Sequence, residues 1–351
     1  MSPAVIDRLK SHDPTEERPL NSRISLRHLL AVATLSALVL IHPTHASAQA
    51  WYMGQPPIEK QKVDTTLTIT VHPLAKGVYA AKVRYGWVGW IEQADGITLV
   101  DATMEDRAAA MLADTIRARS GAKPIRHVIL THAHDDHIQG ARRFLDHGAV
   151  MIAQANVAAD IDSALGRAHE TKSKVKGGEA PTIAVKNFYT LGKGDRAAQI
   201  IYLGHHAHTK GDLIVYLPKE RILFAGDVVS NKAVPWMLDP GMSLSGWQAS
   251  VDSLLSPRFD ADSLVPGHGQ IGQRLIAAGW MKRYLNDSWE KAKTVASWGT
   301  REINYKDWGY LGAYENVEFY QETHFMNMRR LYKEAKGIKT PGRPRARALK
   351  Y

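Results

Sequence analysis

His127-Val128-Ile129-Leu130-Thr131-His132-Ala133-His134-Asp135-Asp136-His137 runs an apolar segment straight into three imidazoles and two carboxylates packed in six residues. His132, His134, Asp136 and His137 are side chains of the kind that bind borderline divalent metals such as zinc. A strand that ends in such a cluster places the ligands at its carboxyl end, where open α/β sheets build their sites. A histidine cluster alone also fits a solvated loop or a tag. Here Asp136 interrupts the cluster, and further ligand-type residues stand beside apolar runs downstream. Gly204-His205-His206-Ala207-His208-Thr209-Lys210-Gly211-Asp212 is followed by Leu213-Ile214-Val215-Tyr216-Leu217. Ile222-Leu223-Phe224-Ala225-Gly226-Asp227 and Val265-Pro266-Gly267-His268-Gly269 complete the set. The stretch is read as a metal site, and a catalytic one.

In order along the chain, these motifs resemble those of the metallo-β-lactamase superfamily. Asp101, ending Ile97-Thr98-Leu99-Val100-Asp101, matches the first motif, and Thr131 to His137 the second. His208-Thr209-x-Gly211-Asp212 resembles the third, Gly226-Asp227 the fourth, and Pro266-Gly267-His268-Gly269 the fifth. The resemblance implies an α/β fold, a four-layer αβ/βα sandwich with metals at one edge between two sheets. It is specific for fold and metal and says little about substrate, because one fold hosts many chemistries.

The resemblance also implies roles. One metal is held by His132, His134 and His208, a second by Asp136, His137 and His268, and Asp227 bridges them. The cofactor expected is a pair of zinc ions, with iron or manganese as alternatives, activating a bridging hydroxide as nucleophile. Asp136 is the catalytic residue that orients this nucleophile and carries a proton. Asp101 receives the other N–H of a ligand histidine and fixes its tautomer. His205 and His206 compete with His208, which alone stands in the third motif's context. Tyr85, Trp87 and Trp90 border an early hairpin that in this family overhangs the metals; buried sheet aromatics are the competing reading. His127 is read as structural, and His72, His147, His169 and His324 carry no motif.

A chain of 351 residues holds one large α/β domain and a smaller appendage. There is no cysteine, so a thiolate metal site and a disulfide framework are both excluded. Arg23 and Arg27 precede an apolar run over 29–41, and Ala46-Ser47-Ala48 or Ala48-Gln49-Ala50 offers a small-residue cleavage site. That order reads as a secretory signal peptide and a periplasmic or secreted mature protein. The segments expected are a leader (1–50), the catalytic domain (51–272), a C-terminal helical appendage (273–338) and a basic tail (339–351).

The net charge of +10 is local. Residues 1–50 carry five Lys/Arg against four Asp/Glu, and residues 329–351 carry nine against Glu334 alone, which leaves about +1 for the body. The tail reads as a solvated terminus, with weak contact to an anionic surface as the alternative. A nucleic-acid groove across the body is not indicated; the expected partner is a small-molecule substrate, and no oligomeric state is read from the chain.

Strands are predicted over 67–71, 78–85, 88–92 and 97–101, with Ala94-Asp95-Gly96 as a turn. A helix is predicted over 105–118, carrying Ala110, Met111, Leu112 and Ile116 on one side, and another over 244–255 ended by Pro257. Strands follow from 183 to 224, after a Lys/Gly-rich loop at 172–178. Beyond His268, Leu275, Ala278, Lys282, Leu285, Trp289 and Ala292 step as one helix face. Residues 316–336 look helical, with Tyr320, His324, Met328 and Leu331 in line. The connector holding Trp298, Tyr305, Trp308, Tyr310 and Tyr314 packs on the sandwich, part of it near the pocket mouth.

The resemblance narrows the substrate. The best-known β-lactamases of the superfamily carry Cys or Ser where Asp227 stands, whereas a bridging Asp resembles the glyoxalase II, lactonase and phosphodiesterase branches. Export argues against a glutathione thioester. The expected reaction is hydrolysis of a cyclic amide or ester, β-lactam-like or lactone. A mononuclear iron persulfide dioxygenase and a catalytically inactive, metal-stabilised envelope binding protein are the alternatives.

Overall fold

The strand Gly86–Glu92 buries side chains on both of its faces, Trp87 and Ile91 on one side and Val88 and Trp90 on the other. Two separate apolar cores receive them, as happens when a strand is covered from both sides. The computed structural model describes residues 67–166, 182–299 and 308–338. The leader and its cleavage site, the 172–178 loop, His169, Tyr305 and the basic tail lie outside the described residues.

In chain order the first half comprises β1 (Ile69–Ala75), β2 (Val78–Val83), β3 (Gly86–Glu92), β4 (Ile97–Val100), β5 (Ile125–Ile129), β6 (Val150–Gln154) and β7 (Thr182–Val185). The second comprises β8 (Phe188–Leu191), β9 (Ala198–Tyr202), β10 (Leu213–Leu217), β11 (Ile222–Asn231), β12 (Ser263–Gly269) and β13 (Gly272–Gln273). The main strand path is β7-β6-β5-β4-β3-β12-β11-β10-β9-β8. The halves join where β3 meets β12 through one register pair, Gly86 with His268.

Between the strands lie α1 (Asp106–Ser120), the short α2 (Asp135–Ile138), α3 (Ala141–Leu145), α4 (Ala158–Ala164), α5 (Leu244–Leu255), α6 (Arg274–Ser297) and α7 (Phe325–Ala335). In α1, Ala108, Ala109, Leu112 and Ile116 are buried, with Asp106 in the first turn and Arg117 and Arg119 in the last, the charge order a helix dipole favours. Helix α5 starts where the Ser243 hydroxyl accepts the Gly246 N–H at 3.2 Å. Its end is capped by the buried Arg274, which donates to the Leu254 and Ser256 carbonyls.

Three cores separate four layers. Helices α1, α3 and α4 pack on the first half-sheet, the two half-sheets face each other, and α5, α6 and α7 cover the second. This is a four-layer αβ/βα sandwich with C-terminal helices. Those helices share one apolar core with β9, β10 and β11.

Two readings of the C-terminal part need correction. Leu275 is 56% exposed; the buried side of α6 runs instead through Ala277, Ala278, Trp280, Met281, Tyr284, Leu285, Ser288, Ala292 and Val295. Nor is 316–336 continuous helix. Phe319 takes a left-handed conformation, a wider π turn spans Tyr320–His324, and only then does α7 begin. The chain first pairs with Lys232 to Val234: the Val234 N–H donates to the Glu318 carbonyl at 2.8 Å, and the Glu318 N–H to the Lys232 carbonyl at 3.2 Å.

Polar groups fix the seating of α7. His324 donates from Nε2 to the Gly309 carbonyl at 2.7 Å, so its Nδ1 accepts the Tyr284 hydroxyl at 2.9 Å. Burial pushes His324 down to about 4, and it is neutral there. Asn327 donates to the Pro235 carbonyl at 2.7 Å and accepts the Met237 N–H at 3.1 Å. Asn327→Ala leaves both backbone groups without these partners and is expected to cost about 2–4 kcal/mol. A urea midpoint unchanged from the parent chain would show that this seating contributes nothing.

Candidate metal centre

Four features converge at one edge of the sandwich. Strands β4 and β5 are parallel, and so are β11 and β12; the residues just past β4 and β5, Asp227 within β11 and His268 near the end of β12 therefore reach the same rim. Asp101 follows β4 with a φ of 65°, a conformation that costs energy in a residue other than glycine. Three bonds hold it there. Its carboxylate accepts the Thr131 N–H at 2.8 Å, the Thr131 hydroxyl at 3.0 Å and His137 Nδ1 at 2.9 Å.

Those bonds dictate tautomers. The Thr131 hydroxyl spends its proton on Asp101, so at 3.0 Å it accepts from His132 Nδ1 and leaves His132 Nε2 as a bare acceptor. His137 likewise donates from Nδ1 and presents Nε2. His268 donates from Nδ1 to the Tyr85 carbonyl at 3.2 Å and presents Nε2. His134 is reversed: Nε2 donates to Asp239 at 2.9 Å, so Nδ1 faces inward. Past β9, the Asp212 carboxylate binds the Thr209 N–H at 2.9 Å and the Thr209 hydroxyl at 2.8 Å. This closes the turn that aims His208. Burial pushes Asp212 up to about 6 against those bonds.

The inward atoms form two groups. His132, His134, His208 and Asp227 offer one set, and Asp136, His137 and His268 the other, with the ligand atoms of each set within 4.8 Å of one another. All seven residues singled out from the sequence are thus brought together. Asp227 faces both sets. One oxygen lies 3.2 Å from His208 Nε2, 3.8 Å from His132 Nε2 and 3.4 Å from His268 Nε2, and the other 3.3 Å from His137 Nε2. Gly267 makes this placement possible, since a Cβ there would stand 1.8 Å from Asp227 Oδ1.

Electrostatics follow from burial and crowding. Burial opposes charge on His268, yet Asp227 and Asp136 outweigh it and push His268 up to about 10. His137 is raised in the same way, burial being overcome by Asp136, Asp227 and Asp101. His208, where burial dominates, falls to about 3, and His132 is lowered by burial and by neighbouring imidazoles. Burial would raise Asp136 and Asp227, but the surrounding histidines hold both well below the usual carboxylate range.

The donor set fits divalent cations. His132 Nε2 and Asp227 Oδ1 are buried without a hydrogen-bond partner. His208 Nε2 and His134 Nδ1 face each other at 2.8 Å, an arrangement that needs a shared proton or a cation. The atoms are all nitrogen and oxygen at positions suited to zinc, iron or manganese.

Solvent reaches the centre from one side. The side chains of His132, His137, His208 and Asp227 are at most 5% exposed, whereas those of Asp136 and His134 are 23% and 22% exposed. His205 and His206 are exposed on the loop before His208. Of the hairpin aromatics, only Tyr85 stands beside the centre, its ring 5.9 Å from that of His268. Trp90 is buried against Tyr79, and Trp87 donates to the Gly269 carbonyl at 2.9 Å from a buried position.

Asp239 is the partner of a candidate ligand that the sequence did not disclose. It lies 105 positions from His134, in a Leu238-Asp239-Pro240-Gly241 turn with no ligand pattern around it. Its loop is anchored from α7, where Arg330 donates to the Asp239 carbonyl at 2.8 Å and to the Met242 carbonyl at 3.3 Å.

Comparisons with known proteins agree with this geometry. Residues 81–268 match the model of the metallo-β-lactamase superfamily. A type 2 metallo-β-lactamase of Bacillus cereus is 27% identical over 187 residues, 51% of this chain and 65% of that enzyme. The chain therefore spans less than two thirds of that relative's length. A linear primary-alkylsulfatase of a Pseudomonas strain is 24% identical over 230 residues, 51% of this chain and 40% of that protein. Among solved structures, a metallo-β-lactamase from Pontibacter korlensis superposes with a TM-score of 0.53 at 19% identity, covering 63% of this chain and all of that one; it attests the fold. With more than half its length matched by the family model, the chain belongs to the metallo-β-lactamase superfamily.

Proposed function

We propose that this protein is an exported dinuclear zinc hydrolase that opens a cyclic amide or ester, a β-lactam-like or lactone substrate. The observation that supports two metals rather than one is Asp227, whose two oxygens face both ligand sets at 3.2–3.8 Å. In this reading His132, His134 and His208 hold one ion, Asp136, His137 and His268 the other, and Asp227 both. Bound there, divalent cations supply Lewis acidity toward a substrate oxygen and make water acidic enough to attack at neutral pH.

The protein's own residues do the rest. Asp101 and Asp239 fix the His137 and His134 tautomers, so the inward nitrogens stay unprotonated when the ions are held. Asp136 is the most exposed of the site carboxylates facing both His137 and His268, at 3.5 and 3.2 Å. It is placed to take a proton from the attacking water and to return it to the leaving nitrogen or oxygen as the ring opens. Export rests on the leader's charge and apolar pattern, and the likeness to proteins named metallo-β-lactamases supports the hydrolytic class.

Metal analysis of the zinc-loaded chain is expected to give two ions. A panel of β-lactams, lactones, thioesters and phosphodiesters should show turnover on the cyclic substrates. Asp227→Ala is expected to lower the stoichiometry and to cut turnover by about 10³-fold or more with the fold retained. One tightly bound iron, with oxygen consumption on a persulfide, would instead establish the dioxygenase alternative.

Asp239→Ala removes the partner that orients His134 and is expected to weaken metal binding about 10–100-fold with the urea midpoint little changed. Unaltered affinity in a chelator competition would reduce Asp239 to a loop residue.

Metal uptake must also displace protons. In the metal-free protein His137 is held protonated and His268 is pushed up to about 10, so each gives up a proton when it becomes a ligand. Affinity is expected to rise between pH 6 and pH 8 by about one decade per pH unit for each proton displaced. A flat competition titration across that range would contradict the assignment of these two ligands.

A further inference from the structure

The match to the family model ends at His268, yet the chain returns to the metal centre fifty residues later. Glu318 pairs with Ala233 beside the end of β11, and the next residue, Phe319, lays its ring against the centre. That ring stands 5.8 Å from the His268 ring at 86° and 5.7 Å from the Tyr85 ring at 88°. Both contacts are edge-to-face, the geometry aromatic rings favour. The Tyr85 hydroxyl donates to the Met104 sulfur at 3.0 Å, so this lip of the site consists of Phe319, Tyr85 and a thioether.

The backbone underlines the placement. Phe319 has φ 65° and ψ 10°, a conformation glycine adopts freely and a bulky side chain does not. It is held by the Glu318 pairing on one side and by the Thr323 N–H donating to the Phe319 carbonyl at 2.9 Å on the other. Its ring is half-buried beside a candidate ligand, and strained backbone of this kind clusters at functional sites. The floor of the centre is sealed, and its open side runs between two unlike ends. At one end are His134 and Asp239, whose side chains are 22% and 20% exposed; at the other are His268, Tyr85 and Phe319.

We propose that Phe319 is a specificity-determining residue, which receives a flat apolar group of the substrate, an aryl or carbon-ring substituent next to the bond to be hydrolysed. The polar part of the same substrate lies toward Asp239. This inference rests on the hydrolase reading above and adds to it a substrate class and a residue from outside the family-matched region.

The test compares the full-length zinc-loaded chain with Phe319→Gly, which suits the left-handed backbone and preserves the fold, and with Phe319→Ala. Two probes are titrated calorimetrically: phenylmethanethiol and ethanethiol, which offer zinc the same sulfur donor and differ in the attached group, with affinities compared per thiolate. The parent chain is expected to bind phenylmethanethiol about tenfold more tightly. Both variants should lose that preference while their zinc content and ethanethiol affinity stay unchanged. On a phenyl-substituted and a methyl-substituted lactone, the variants should raise KM for the first alone and leave kcat in place.

Equal preference in parent and variants overturns the proposal. A chain that takes up no zinc overturns the hydrolase reading and this inference together. A chain that loads zinc and loses the thiol preference on substitution, yet cleaves nothing in the panel, supports the role of Phe319 and overturns the hydrolytic reading alone.

Discussion

A buried carboxylate surrounded by imidazoles sets the terms for this fold. Asp227 is 5% exposed and has four histidine nitrogens within 3.8 Å. Burying such a charge without compensation costs several kcal/mol. Protonated His137 and His268 meet part of that cost, but His132 and His208 are held neutral by burial and contribute lone pairs rather than charge. Bare nitrogens and a carboxylate pointing at one another are mutually repulsive until a cation stands among them. The centre is therefore built for ions more than for its own stability.

The sandwich delivers that arrangement by stacking constraints. Strands β11 and β12 run parallel, with Ser230 in register with His268, so Asp227 and the β12 ligand leave the sheet on the same rim. Gly226, with a φ of 49°, would press any Cβ into Thr131 at 2.6 Å, and that close approach brings the two half-sheets' ligands within reach. The Leu213 N–H donates to the Thr131 carbonyl at 2.7 Å, tying the His208 turn to the end of β5. Each half-sheet supplies ligands, and neither half alone completes a set.

What could be read from the sequence was what local chemistry determines. His132, His134, Asp136 and His137 follow an apolar run directly, and Asp227 and His268 each follow apolar residues along a strand, so type and position coincide. Helices α1 and α5 were visible through their apolar spacing and breakers. Legibility failed where long-range packing decides. Asp239 matters only because α7 pins its loop across from His134, and Phe319 only because Glu318 first pairs with Ala233. The start of α7 lies later than the apolar spacing suggests for the same reason: Glu318 pairs with Lys232 and Val234, and Phe319 turns left-handed before the helix can begin. Leu275 carried the helical period yet falls on the solvent side of α6, while Arg274, Ala277 and Ala278 around it are buried.

The C-terminal helices bear on the centre more directly than an appendage would. Each candidate ligand that depends on a distant partner takes it from a different element: His137 from the end of β4, His268 from the β2–β3 hairpin, His134 from the loop after β11. That last loop is gripped by Asn327 and Arg330 of α7, and the hairpin's Tyr85 packs on Phe319. One segment thus holds the partner of His134 in place through Asp239 and lays an aromatic ring beside the hairpin that faces the second set. Because α6 and α7 share a core with the second half-sheet, the rim and the apolar interior are tied to the same two helices. The same helices therefore serve the fold through their apolar core and Asn327, and the site through the loop that carries Asp239.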